Sequence, residues 1–421
     1  MKTSRTYVLA LLTLTAAFNF VDRQILGVLL EPIGAEFGLP DSALGLLSGI
    51  AFSLFYATLG IPIAALSDRL NRKNIIVICT GIFSVMTALC GTAGNFLHLF
   101  LARIGVGVGE AGTAPASQSI LSDLYPVNER PTAMAILGAG GNIGLMIGLL
   151  IGGWVNEWYG WRVAFFVAAL PGVIIALFIG LTVTEPSRKI PKNKAPWLKD
   201  SLDGLRSAIA IRSVRRFIMG GTLYAMTAYG IHTWMPTYFI RFHGLSTGET
   251  GTVNAIIVGV LGALGAIAGG ILCSRLSKND IRWHGWLPAI AIITSLPFLA
   301  ATLLSNHTWT AIGFFVIPGI LSSIYSGPTY AIIQELVPAN RRAMAAALYL
   351  LVFNLIGLGL GPLATGILSD LYAPIVGAES LRWAMTSILI VSIPGCIFYL
   401  LGAQSLKTDL HSLKLARPAP L

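Results

Sequence analysis

The stretch Asp123-Leu124-Tyr125-Pro126-Val127-Asn128-Glu129-Arg130 returns as Glu335-Leu336-Val337-Pro338-Ala339-Asn340-Arg341-Arg342, 212 residues later in a chain of 421. Half the chain separates the copies. In the same register Asn142 meets Asn354, whereas Met134 meets Ala346 and the nearest methionine, Met344, lies two residues early. The halves are diverged copies of one unit. Both copies of the stretch follow equivalent apolar runs, the fourth and the tenth, which implies two six-helix bundles related by an axis along the membrane normal.

Outward from that repeat, apolar runs between turn signals place spans at 6–30, 42–67, 75–94, 97–124, 132–155 and 162–183, then 214–240, 248–273, 286–304, 309–334, 343–371 and 382–402. Each is near the length of about 20 residues that crosses hydrocarbon. With 55% hydrophobic and 11% charged residues and a mean hydropathy of +0.76, the chain is no water-soluble globule. A β-barrel is excluded too, because Ile75 to Ala93 and Leu287 to Leu304 are almost continuously apolar rather than alternating. The expected fold is an all-α membrane protein of twelve transmembrane helices: a bundle over 1–184, a basic linker over 185–213, a second bundle over 214–403 and a tail over 404–421. The basic flank and apolar run of 1–20 continue past Asp22 to Leu30, so the start reads as an uncleaved first span rather than a signal peptide.

The net charge of +10 points to membrane topology, not to nucleic acid, because the basic residues cluster in short connections without aromatic interleaving. Of the 28, 23 fall on the side that carries both termini and three (Arg162, Arg241, Arg382) on the other. The positive-inside rule then puts both termini in the cytoplasm, in a cell (inner) membrane. Nine basic residues crowd the linker between Arg188 and Arg216, either as a solvated face or as a surface for anionic lipid heads. The last two, Arg23 and Arg103, fall inside spans. Cys79, Cys90, Cys273 and Cys396 stand alone, without a CxxC or a nearby His cluster, and read as small core hydrophobes. No metal and no cofactor is expected.

The connection Ala64-Ala65-Leu66-Ser67-Asp68-Arg69-Leu70-Asn71-Arg72-Lys73 resembles the signature loop of the major facilitator superfamily, G-x-x-x-D-R-x-G-R-K, with Ala64 and Asn71 replacing its glycines. Asn71 is among the non-glycine residues most tolerant of a left-handed turn, which is the conformation expected there. A fainter copy, Gly270-Ile271-Leu272-Cys273-Ser274-Arg275, follows span 8. Arg103 followed by Gly105, Gly107 and Gly109, and the four-residue spacing of Gly140, Gly144, Gly148 and Gly152, match superfamily patterns as well. Asp22-Arg23, the segment Arg103 to Glu110, and Gly109-Glu110-Ala111-Gly112-Thr113-Ala114-Pro115-Ala116 look like the spinster branch. That resemblance implies alternating access by a proton-coupled antiporter, working as a monomer, that exports a lysolipid or a sphingosine 1-phosphate-like lipid. It also implies a cytoplasmic latch at Asp68, Arg69, Arg72, Lys73 and Arg130. Basic loops set topology in any case, which is the plainer reading of those residues. An Arg and a Glu in span 4 are shared with sugar-acid carriers, so a drug or organic-anion carrier of the same fold stays open.

Ionised side chains in hydrocarbon cost about 2.5 to 3.5 kcal/mol each on insertion scales, so Asp22, Arg23, Arg103 and Glu110 require a reason. At about 1.5 Å per residue, Asp22 and Arg103 reach nearly the same depth. Glu110 lies seven residues beyond Arg103, on the same face and nearer the termini. The reading is a proton-coupling pair, Asp22 and Glu110, with Arg103 as charge partner; the plainer alternative is an ion pair that fixes packing. Arg23 points about 100° from Asp22, either outward or into the cavity. The repeat register carries Asp22, Arg103 and Glu110 onto Trp234, Phe315 and Ser322. The expected cavity therefore has a charged wall and an apolar wall, with His232 as a further candidate, and suits an amphiphile. Gly107 to Gly112 fits GxGxxG, but it lies within a span and lacks the preceding strand that nucleotide binding needs. Without HExxH or GxSxG, enzyme chemistry or a lipid scramblase remains a remote alternative.

Overall fold

The computed structural model describes residues 4–67, 70–186, 206–338 and 341–415. The first half builds span 1 (Arg5–Phe37), span 2 (Asp41–Ser48 and Ile50–Ser67), span 3 (Arg72–Gly91), span 4 (Phe96–Glu110 and Thr113–Leu124), span 5 (Arg130–Tyr159) and span 6 (Trp161–Thr182). The second builds span 7 (Arg212–His243), span 8 (Thr247–Asn254, Ala255–Leu261 and Gly262–Leu276), span 9 (Trp283–Leu304) and span 10 (Thr308–Leu321 and Ser326–Glu335). Span 11 (Arg342–Val352, Phe353–Leu360 and Gly361–Val376) and span 12 (Ser380–Ile388, Leu389–Val391 and Ser392–Leu415) complete it. Among the described residues there is no strand, and nine helical stretches are long and apolar enough to cross a membrane, the longest of them, Met344–His411, running through spans 11 and 12. The chain is a multi-pass integral membrane protein.

An even number of spans returns both chain ends to one face, here called the terminal face. There Arg5 pairs with Glu129 at 2.9 Å and Lys407 with Asp280 at 3.1 Å. Hydrogen bonds from Arg282 hold the Asp280 carboxyl well below the usual carboxylate range. On the far face the three arginines expected there are all paired: Arg162 with Glu36, Arg382 with Glu379, and Arg241 with Glu31 and Asp41.

The repeat persists in the backbone. Spans 1 and 7 are both unbroken and stop at a glycine, Gly38 and Gly244, held at φ 62° and 64°, a region closed to most side chains. Spans 4 and 10 both break midway. Pro115 and Pro328 stand third in the helices that follow the breaks, where each lacks the N–H that would continue the helix above it. Asn71 departs from the expected left-handed turn: it sits at φ -69°, ψ 112° and caps span 3, its side chain accepting from Asn74 N. A polar residue just before a helix is more useful as an N-cap than as a turn. Asp68, Arg69 and most of the expected linker, 187–205, lie outside the described residues.

Spans 1 and 5 pack through the glycine ladder. A Cβ on Gly140, Gly144 or Gly148 would strike the backbone of Thr13, Ala17 or Val21, and one on Gly152 would press on Ile25. Both helices advance by four residues per contact, so their backbones touch along the whole seam. Gly144→Val is expected to abolish a folded, monodisperse protein in detergent. Gly138→Ala, on the same helix with nothing within 4 Å, should leave the melting temperature unchanged.

Candidate functional site

A cavity of about 300 Å³ lies between the halves. Its first-half wall carries Arg23, Gln24, Phe52, Arg103 and Asn142. The second-half wall offers Tyr229, His232, Asn254, Val258, Ser322 and Phe353, with no charged residue. A second cavity of about 280 Å³ is lined only by the first half, and Phe20 and Arg23 belong to both. On span 1, Thr15, Asn19 and Arg23 recur every four residues along this second cavity, so one helix face carries them all.

Two ion pairs fill the space behind Arg23. Arg103 Nη1 donates to Asp22 Oδ2 at 2.7 Å, and Thr87 Oγ1 donates to the other Asp22 oxygen. Both partners are 1% exposed. Arg23 Nε and Nη2 each reach Glu110 Oε2 at 2.7 Å, leaving Oε1 of a fully buried carboxylate without a partner among the described residues. The Phe52 ring lies against both guanidiniums, 4.8 Å from Arg23 and 5.6 Å from Arg103, and Tyr56 lies 4.3 Å from Arg23. These ring faces favour a cation in a site that water reaches poorly.

The break in span 4 positions Glu110. It is the last residue of Phe96–Glu110, and its carbonyl accepts from Thr113 Oγ1 on the next helix. Asn19 Nδ2 donates to the same hydroxyl at 2.6 Å, tying span 1 to the break. Ser322 occupies the equivalent break in span 10. Neither Asn19, Thr113 nor Thr87 stands out by charge in the sequence; the four-residue repeat of Thr15, Asn19 and Arg23 is the signal that finds the first of them.

The structure brings Asp22 and Arg103 together and turns Arg23 into the cavity, and His232 and Ser322 line that cavity. Trp234 and Phe315 do not line it. Both are 0% exposed in the largest apolar core, which draws on both halves, and Trp234 Nε1 donates to the Pro362 carbonyl at 2.9 Å. Repeat register fixes depth along a helix, but local packing decides which way a side chain turns. At the terminal face Arg72 binds Asp123 and Glu185 at 2.6 and 2.7 Å, and Lys73 Nζ reaches the Gly180 carbonyl. Arg130 Nε closes on the Tyr125 carbonyl. These contacts all join parts of the first half, and Asp123 belongs to the repeated stretch itself.

The model of the Major Facilitator Superfamily matches residues 12–362 of the chain. An MFS-type efflux pump of Mycolicibacterium smegmatis is 29% identical over 401 residues, spanning 95% of this chain and 92% of its own. Protein spinster homolog 1 of Xenopus tropicalis is 26% identical over 420 residues, 93% of this chain and 79% of its own. The crystal structure of a bacterial homolog to the human lysosomal transporter Spinster, inward-facing and unoccupied, is 30% identical, covers 99% of both chains and superposes with a TM-score of 0.88.

Removing Arg103 leaves Asp22 buried and unpaired, a loss of about 3 to 5 kcal/mol. Arg103→Met should therefore lower the melting temperature in detergent more than Arg23→Met, whose site opens to two cavities. Asp22→Asn added to Arg103→Met should restore part of the loss. Equal destabilisation by the two methionine variants would contradict this assignment.

Proposed function

The chain belongs to the major facilitator superfamily, and from that premise we propose that it is a proton-coupled carrier of a single-chain amphiphilic anion, a lysolipid or a lipid phosphate. It is a transporter with the fold and overall likeness of the spinster branch, as its relatives are transporters and not enzymes. The observation that carries the proposal is the Arg23–Glu110 pair. The guanidinium that faces both cavities is neutralised by a carboxylate in hydrocarbon with one oxygen unused. A proton on Glu110 releases Arg23 for an anionic head group, and an arriving head group drives Glu110 to take up a proton. Asp22, linked to the same cluster through Arg103 and Phe52, is the second proton-coupling carboxylate.

Competition of Glu110 and substrate for one guanidinium makes the proton and the anion bind together. That favours cotransport over the antiport that the resemblance implies. Uncharged groups such as Val258, Leu145, Leu149 and Phe353 supply the surface for a hydrocarbon tail. The excess of basic residues on the terminal face supports a cytoplasmic location for both termini in a cell membrane. With the far face tied, the cavity of the proposed carrier then fills from the cytoplasmic side. Transport requires that proton and substrate each bind the two global states differently.

A carrier of soluble drugs or organic anions is the second reading, favoured by the likeness to the efflux pump. Proteoliposomes holding a pH gradient separate the two. Uptake of labelled lysophosphatidate-type lipids should rise with chain length, each buried methylene adding about 0.8 kcal/mol until the tail fills the cavity. Val258→Asp should flatten that rise. Glu110→Gln and Asp22→Asn should abolish the dependence on the gradient. A flat series in the wild type with full competition by short hydrophilic anions would promote the second reading, and gradient-independent uptake would sink proton coupling.

A further inference from the structure

We infer that a pair of carboxylates, Glu157 and Asp370, each capping a helix of the opposite half, acts beside the Arg241 bridge to Glu31 and Asp41 to hold the two halves closed at the far face, and that these caps shift the balance between the carrier's two states. Asp370, near the end of span 11, accepts from the backbone N–H groups of Asp41 and Ser42 at 3.0 and 2.9 Å. Those are the first two residues of span 2, and the residue before them is Pro40, which has no side chain to cap with. The first half thus lacks its own cap at this helix, and the second half supplies it.

The mirrored arrangement joins spans 5 and 8. Glu157, near the end of span 5, accepts from Ser246 Oγ at 2.6 Å and from Gly248 N at 2.8 Å, at the start of span 8. Spans 5 and 11 are equivalent in the repeat, as are spans 2 and 8, so the device occurs twice about the pseudo-twofold axis. Glu157 and Asp370 differ by 213 residues, one more than the repeat offset. Small residues let the same helix ends approach: a Cβ on Gly366 would strike the Asp41 carbonyl, and one on Gly153 the Thr247 carbonyl.

A carboxylate on free N–H groups at a helix start gains from both hydrogen bonds and the helix dipole. Separation of the halves at the far face exposes two helix ends at once. Glu249 is the internal control. Its carboxylate accepts from Ser246 N within span 8 and so caps that helix without crossing to the other half.

The inference rests on the alternating-access reading. The test uses spin labels at Gly94→Cys and His307→Cys, exposed far-face positions on opposite halves, in full-length protein in nanodiscs with the four native cysteines replaced. Distances are read at the pH where the wild type shows both a short and a long population. Glu157→Gln and Asp370→Asn should each raise the long-to-short ratio about tenfold, and the double variant about a hundredfold, since the two sites share no partner. Glu249→Gln should leave the ratio within twofold. A double variant with the wild-type ratio, or a Glu249→Gln shift as large as that of Glu157→Gln, overturns the inference. A wild type with a single distance at every pH overturns the alternating-access reading instead.

Discussion

Placing four ionised side chains inside hydrocarbon is the constraint around which the first half is built. Asp22 and Arg103 offset each other's burial, and Arg23 and Glu110 do the same, with Glu110 about two turns along span 4 from Arg103. Each pair joins span 1 to span 4, so the two helices are positioned by charge as well as by packing. The glycine ladder of span 5 then presses span 1 from the other side with backbone contact. Little freedom remains for the spacing of these three helices, and the residues that face the cavity inherit that rigidity.

The two pairs nevertheless have different surroundings. Asp22 and Arg103 are almost wholly buried, Arg103 touching one cavity only, with Thr87 closing the remaining carboxylate oxygen. Arg23 opens to two cavities, and its partner keeps one oxygen unpaired. A buried pair resists change and an open pair invites exchange of partners. The uncharged second-half wall completes the asymmetry: both cavity-lining cations come from one copy of the ancestral repeat, while the other copy contributes hydroxyls, amides and hydrocarbon.

Much of this was legible in the residues. Apolar run length marks the twelve spans because hydrocarbon thickness leaves helices no choice of length. The meeting of Asp22 with Arg103 followed from counting depth alone. Azimuth was harder, and Trp234 and Phe315, at the right depth, turn into the core instead. The breaks in spans 4 and 10 were written in Pro115 and Pro328, although continuous apolarity concealed them. The far-face caps were not legible, because they pair backbone N–H groups with carboxylates about 90 to 330 residues away, and local sequence carries no trace of such contacts.

The central claim is that the proton and the anion meet at Arg23 and Glu110. It is tested most directly by mixing the purified protein with a single-chain lipid phosphate in weakly buffered solution and following a pH indicator. The account predicts net proton uptake as the anion binds, approaching one proton per site, and none in Glu110→Gln even where the anion still binds. Proton release by the wild type, or equal uptake by the Gln variant, would contradict it.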